Sequence, residues 1–209
     1  MKIVVLSDDV QWMEMQPFIN SQWVRVAGEQ DFFSTIDATV YINLLDNASS
    51  LDYSGIQQVV LINSVCTTLK EMNANSNIVR LNGWPTFLNR TTWELCGVLN
   101  ETLNNFFASI NKRIILTPDE PGFVSARVVA MIINEAYFAL QEEVSTKAEI
   151  DIAMKMGTNY PFGPFEWSDR IGLQNITALL NQLAVVNKRY TPARLLLHES
   201  ETHAHHVKH

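Results

Sequence analysis

The 209-residue chain is 47% hydrophobic and 18% charged, a balance that can bury a core and that excludes an intrinsically disordered protein. Its formal net charge of −7 argues against a nucleic-acid surface, because phosphate contacts need clustered Lys and Arg. No apolar run reaches the ~18 residues that a membrane span needs, Met1 to Leu6 meets Ser7-Asp8-Asp9 too early for a signal-peptide core, and Cys66 and Cys96 alone make no disulfide framework. A soluble, cytoplasmic protein with neither nucleic-acid nor membrane partners is expected.

The first elements are strand-like. Lys2 to Leu6 (KIVVL) reads as a buried parallel strand, closed by Ser7-Asp8-Asp9. A helical stretch follows from Asp9 to Ile19, disturbed by Pro17, and Gln22 to Ala27 alternates as a second strand closed by Gly28. Ala38 to Leu45 and Gln58 to Ile62 are further β-branched runs, separated by the polar loop Asp46 to Gly55. Val79 to Trp84 and Arg113 to Thr117 complete a set of six predicted strands. Between the last two, Thr91 and Glu94 fit a capping box, and Leu95, Leu99, Leu103 and Ile110 recur at helical spacing. A helix from Thr92 to Ile110 is therefore expected.

Beyond Pro118 the pattern turns wholly helical. One helix is opened by Pro121-Gly122 and runs to Glu143; a second starts at the capping box of Thr146 and Glu149 and ends at Gly157. Two more cover Pro164 to Arg170 and Leu173 to Asn187. The expected fold is an α/β Rossmann-like N-terminal domain with a reduced parallel sheet (1–118), followed by an all-α domain (119–197). A polar, His-rich tail (198–209) is expected to be flexible.

Two counts limit the chemistry. All five histidines (His198, His203, His205, His206 and His209) lie in the last twelve residues, so the body has no imidazole to move a proton. The eight glycines include no G-x-G pair. Dinucleotide sheets receive pyrophosphate at a Gly-rich turn after the first strand, and here that turn is Leu6-Ser7-Asp8-Asp9, with two carboxylates where an anion would sit. The tail histidines could chelate a transition metal, but terminal histidines of this kind more often hold none, and no metal site is assigned. Cys66 and Cys96 have no basic neighbours in sequence and read as small core residues.

Four blocks of the second half carry a resemblance. They are Asp119-Glu120-Pro121-Gly122-Phe123-Val124-Ser125-Ala126-Arg127; Asn134-Glu135-Ala136 with Val144 to Asp151 and Ala153-Met154; Gly157 to Glu166 (GTNYPFGPFE) with Asp169, Gly172 and Leu173; and Arg189-Tyr190-Thr191-Pro192 with Leu195-Leu196. In this order they resemble the helical domain of the 3-hydroxyacyl-CoA dehydrogenase family. More faintly, Asn63-Ser64 and Arg80 to Phe87 (RLNGWPTF) resemble motifs of its nucleotide-binding domain.

The resemblance implies an oxidoreductase of fatty-acid metabolism in which a histidine, polarised by a glutamate, takes a hydroxyl proton while NAD takes the hydride. Pro85 stands at the histidine position, Ala126 at that of a helix asparagine, and Glu94 is the one carboxylate near the glutamate position. No catalytic or cofactor-binding residue is therefore assigned. Ser64 and Arg127 are the candidate substrate-binding residues, and no cofactor is expected. The reading is a catalytically impaired relative that dimerises through its helical domain and binds an acyl-CoA-type or other small ligand, or a partner protein. The alternative is an active 3-hydroxyacyl-CoA dehydrogenase that uses NAD through an unusual site.

Overall fold

The computed structural model describes residues 1–206, with side chains described to residue 202. It divides into two compact units, residues 1–123 and 124–209. The sequence had placed the boundary at 118/119. Arg80 and a run of hydrogen bonds hold the Asp119–Gly122 segment to the first unit, which moves the division past Phe123.

The first unit is built on a seven-stranded sheet in the order β2-β1-β3-β4-β5-β6-β7. Its strands are β1 (Ile3–Leu6), β2 (Trp23–Arg25), β3 (Val40–Asn43), β4 (Val59–Asn63), β5 (Ile78–Leu81), β6 (Thr92–Cys96) and β7 (Arg113–Leu116). All neighbours pair in parallel except β5 and β6. The sheet itself has seven strands, and the brevity of the unit lies in its crossovers. Helix α1 (Asp9–Met15) joins β1 to β2, α2 (Glu29–Ser34) joins β2 to β3, and α3 (Glu101–Ser109) leads to β7. The β3–β4 link carries only the 3-10 turn Ala48–Ser50, and the β4–β5 link has neither helix nor strand.

Burial on both faces explains the near-continuous apolar strands. On one face Val5, Ile42, Leu61 and Val79 pack with Met15 of α1 and Phe106 and Phe107 of α3. On the other, Val4, Tyr41, Val60 and Ile62 pack with Phe32 of α2 and with Tyr53.

The expected helix from Thr92 to Ile110 is instead a strand followed by a helix. Thr92–Cys96 pairs antiparallel with β5 and is buried on both faces, so its short apolar run satisfies strand as well as helix. Gly97, at φ 141°, turns the chain out of the strand. Asn100 then caps α3 by accepting from Leu103 N at 2.9 Å, and Glu94 forms no capping box.

The helical unit comprises α4 (Ser125–Gln141), α5 (Lys147–Thr158), α6 (Pro164–Ile171), α7 (Leu173–Val186) and α8 (Arg194–His206). α4 starts later than expected because Gly122 and Phe123 both take positive φ. The Thr146/Glu149 capping box forms as read, and α5 ends on Asn159 in the left-handed region. Residues 198–206, expected as part of a tail, are helical and continue α8. The polar side chains of this helix are anchors: Glu199 accepts from Tyr137 Oη at 2.7 Å and pairs with Lys147 at 2.6 Å, and Ser200 lies 3.1 Å from Thr177 Oγ1.

Candidate functional site

In a doubly wound sheet, ligands sit outside the carboxyl ends of the strands where the chain order reverses. Here that point lies between β1 and β3, and the strand ends carry buried polar residues: Ser7, Asn43, Asn63, Ser64 and Asn82. Their side chains bond largely to one another's loops. Gln11, 2% exposed on α1, donates to Leu44 O at 2.6 Å and to Gly83 O at 3.2 Å. Asn63 donates to the same Leu44 O at 3.0 Å and accepts from Gly83 N at 3.1 Å. A Cβ on Gly83 would meet Asn63 at 2.9 Å, so this close approach requires glycine. Asn43 donates to Tyr53 Oη at 2.9 Å. The polar row thus ties together the ends of β3, β4 and β5 and the first turn of α1.

The α1 N-terminus, where pyrophosphate would bind, is capped by its own Asp8, whose Oδ1 accepts from Gln11 N at 2.7 Å while Asp8 N donates to Gln11 Oε1 at 3.2 Å. Asp9 pairs with Arg25 at 2.7 Å, and Arg25 also donates to Ser7 O at 3.0 Å. Two carboxylates, a helix of seven residues and no glycine in the turn do not fit a pyrophosphate. The residues present are a poor receptor for NAD in this mode.

The turn after β5 is also held from within. Thr86 adopts φ 79°, an uncommon and strained state for a β-branched residue. Glu14 of α1 offsets that strain by accepting from Thr86 N at 2.5 Å and Leu88 N at 3.2 Å. From the opposite side Lys112, 6% exposed, donates to Leu88 O at 2.9 Å and to Arg90 O, with its ammonium 3.5 Å from the Phe18 ring centroid. Burial pushes its pKa down to about 8. Pro85 lies inside this clamped turn and has no proton to exchange. Glu94, buried on β6, accepts from Asn82 Nδ2 at 3.3 Å.

Ser64 lies at the end of β4, but its hydroxyl is turned onto Thr67 O at 2.6 Å. Its carbonyl accepts from Arg80 Nε at 2.9 Å. Arg80 is fully buried and is the hub of this corner, donating also to Val65 O and Glu120 O at 3.3 Å and to Asp119 Oδ1 at 2.6 Å. Burial alone would raise the Asp119 pKa, but the Leu69 and Lys70 amides and Arg80 outweigh it and hold the carboxyl below its usual value. Asp119, which opens the first resemblance block, is therefore part of a structural ion pair. Burial likewise pushes both thiols up to about 11, the half-buried Cys66 and the buried Cys96, so neither is poised as a thiolate.

Arg127 lies in the other unit, on α4, half-buried, with its guanidinium 6.0 Å from the Tyr190 ring centroid. Ser64 and Arg127 thus belong to different units, each embedded in local packing. The blocks around Arg127 act as clamps. Asn134, 1% exposed, donates to Thr191 O at 3.0 Å and accepts from Ala193 N at 2.8 Å, fixing both sides of Pro192. Asp151 accepts from Phe165 N at 2.8 Å and Glu166 N at 3.2 Å, capping α6 from α5. A Cβ on Gly163 would overlap that carboxylate, which accounts for the glycine of the third block.

Sequence reading missed Gln11, Glu14, Arg80 and Lys112 as organising residues. For Gln11 a signal existed, since Asp8-x-x-Gln11 is a capping-box spacing. For the others it lay only in long-range contacts. Among the described residues no cluster of His, Cys, Asp and Glu is arranged to hold a metal, and no helix is long and apolar enough to cross a membrane. The metal-chelating potential of His203, His205, His206 and His209 concerns side chains outside the described residues.

Residues 122–205 match the family model of the 3-hydroxyacyl-CoA dehydrogenase C-terminal domain. The 3-hydroxyadipyl-CoA dehydrogenase of Escherichia coli K12 is 45% identical over 87 residues, which is 41% of this chain and 18% of that protein. A 3-hydroxybutyryl-CoA dehydrogenase of Bradyrhizobium diazoefficiens is 34% identical over 99 residues, 46% of this chain and 34% of that one. The chain therefore spans well under half the length of either curated relative. In fold it is similar to the crystal structure of M. tuberculosis FadB2, with a TM-score of 0.71 at 16% identity over 96% of this chain and 93% of that one. Residues 122–205 are thus similar to the C-terminal domain of 3-hydroxyacyl-CoA dehydrogenases, and the likeness of the remainder is one of fold.

Proposed function

We propose that this chain is a member of the 3-hydroxyacyl-CoA dehydrogenase family that does not carry out the dehydrogenation and acts instead as a dimeric cytoplasmic protein that binds an acyl-CoA-type ligand. The observation that carries the reading is the polar network of Gln11, Asn63 and Gly83 across the carboxyl ends of β3, β4 and β5. Together with the Asp8 cap it uses for internal bonding the space and the amide donors that a dinucleotide needs. Pro85 and the absence of histidine from residues 1–197 leave no imidazole base there. The match of residues 122–205 to the family model supports ligand binding by the helical unit, where Arg127 is the candidate contact for an anionic group; Ser64 is a separate candidate within the sheet unit.

Self-association is supported by α5, which buries only Asp151 while Ile152 and Met156 stand 53% and 82% exposed. A short helix with so little burial gains stability from a covering surface.

A thermal-shift panel of NADH, CoA and acetoacetyl-CoA, with a turnover assay and light scattering, tests this reading. A shift with the CoA compounds, none with NADH, no turnover and a dimeric mass are expected. Stabilisation by NADH, or oxidation of a 3-hydroxyacyl-CoA at ~1 s⁻¹ or faster, would overturn it in favour of an active 3-hydroxyacyl-CoA dehydrogenase of fatty-acid metabolism; the two curated relatives are named as 3-hydroxyadipyl-CoA and 3-hydroxybutyryl-CoA dehydrogenases.

A further inference from the structure

The shortened crossovers leave a cavity in the sheet unit, on the face opposite α1 and α3. A parallel sheet is ordinarily covered by helices on both faces. Here the β3–β4 link carries one 3-10 turn and the β4–β5 link no helix, and a cleft of about 290 Å³ remains over Ile62 and Ile78. That volume is at the lower end of the ~300–1,000 Å³ of small-molecule sites.

The lining has a definite chemistry. The floor is apolar, formed by Ile62, Ile78, Met72 and the Tyr53 ring. The rim offers serine hydroxyls and the amides of Asn73 and Asn75, with Asp52 as the one charged side chain in the lining and no lysine or arginine. Asn73 sits in the left-handed region at φ 49°, which turns the chain back at the cleft. Hydrogen-bond acceptors and donors with a carboxylate and no cation disfavour phosphates and carboxylates, so the acyl-CoA-type ligand proposed above is the wrong class for this cleft.

We infer that this cleft is a second binding site, for a small neutral or monocationic molecule with one apolar face and a hydroxyl or amine edge. The apolar face lies on Ile62 and Ile78, and the polar edge meets the serine and asparagine rim. An amine gains further from Asp52, whose carboxyl is held below its usual value by the Ser54 backbone amide and side chain and so stays charged.

Three probes that share a phenyl body separate the possibilities: 2-phenylethanol, 2-phenylethylamine and phenylacetate, titrated against the full chain by saturation-transfer NMR. The alcohol and the amine are expected to bind, the amine most tightly, with phenylacetate weaker by about tenfold, as one exposed carboxylate dictates at low ionic strength. Asp52→Asn should remove the amine's advantage over the alcohol and leave alcohol binding intact. Ala74→Phe, which fills the cleft, should abolish binding of both. If that variant does not fold, Ser54→Trp at the exposed rim makes the same test. Equal binding of all three probes, binding of none, or binding that survives the filled cleft would each overturn the site. None of these outcomes depends on the CoA panel, so failure here leaves that reading untouched.

Discussion

The two units use buried polar residues to opposite ends. In the sheet unit Gln11, Asn43 and Asn63 stand at the strand ends where this topology offers a crevice, and their bonds to loop carbonyls and amides tie those ends together. In the helical unit Asn134 and Asp151 stand between elements and fix the connections, one on either side of Pro192 and one at the start of α6. A buried amide bonded to backbone is stabilising in either place, because an unmade bond there costs more than a made one contributes. The difference lies in what surrounds it. At the carboxyl edge of a parallel sheet such bonding uses groups that could otherwise meet a ligand, whereas between helices it holds the connections of the unit that matches the 3-hydroxyacyl-CoA dehydrogenase C-terminal domain.

The comparison breaks most readily at Arg80. Replacing it with Met leaves the Asp119 carboxylate and three carbonyls without their shared donor, and removing one partner of a buried ion pair costs about 3–5 kcal/mol. Denaturant unfolding should show that loss, and Arg80→Lys should recover little of it, because an ammonium cannot span the four acceptors of a guanidinium. A loss below about 1 kcal/mol would mean that the corner is solvated and that Asp119 is free for another role.

Asn134→Ala is the matching change in the helical unit. It leaves Thr191 O and Ala193 N without their partner, at about 1–3 kcal/mol each. Loosening of the 191–193 connection should appear as faster amide exchange there, with β1 to β5 unaffected. Exchange that rises equally across the sheet would show that the two units do not respond independently.

A third expected effect is a pH dependence from Lys112. Burial holds its folded pKa at about 8 against the ordinary 10.5. Between these values the unfolded chain binds more protons than the folded one, so the contribution of Lys112 to stability increases with pH from about 8 to 10.5 and is level outside that window. The Leu88 and Arg90 carbonyls and the Phe18 ring favour the ammonium and oppose the shift. Lys112→Met should flatten this part of the stability–pH profile, and a wild-type profile that is already flat from pH 8 to 10.5 would show that the carbonyls fully compensate burial.

Legibility in the sequence followed the range of the interaction. The Thr146/Glu149 box and the helix opened by Pro164 rest on contacts within a few residues, and both were readable, whereas α5 runs past the expected end at Gly157 to a left-handed cap at Asn159. The absent G-x-G and the missing body histidine were readable for the same reason, as they are properties of composition. By contrast, Thr92–Cys96 became a strand because β5 and β7 lie on either side of it, which no local pattern records. Residues 198–202 look like a solvated tail in composition, yet Tyr137, Lys147 and Thr177 supply partners that make a polar helix worth ordering.

The candidate site divides in the same way. The sequence by itself determined that the first turn carries Asp8 and Asp9 in place of glycine, that Pro85 has no proton to give, and that the four helical blocks stand in family order. Only the tertiary structure decided that Gln11 bridges β3 to β5, that Ser64 turns its hydroxyl onto Thr67, and that Arg80 gathers Asp119 and three carbonyls into one corner. The physical reason is that a side chain's chemistry is set by its type, but its role is set by which backbone groups the fold brings within about 3 Å of it.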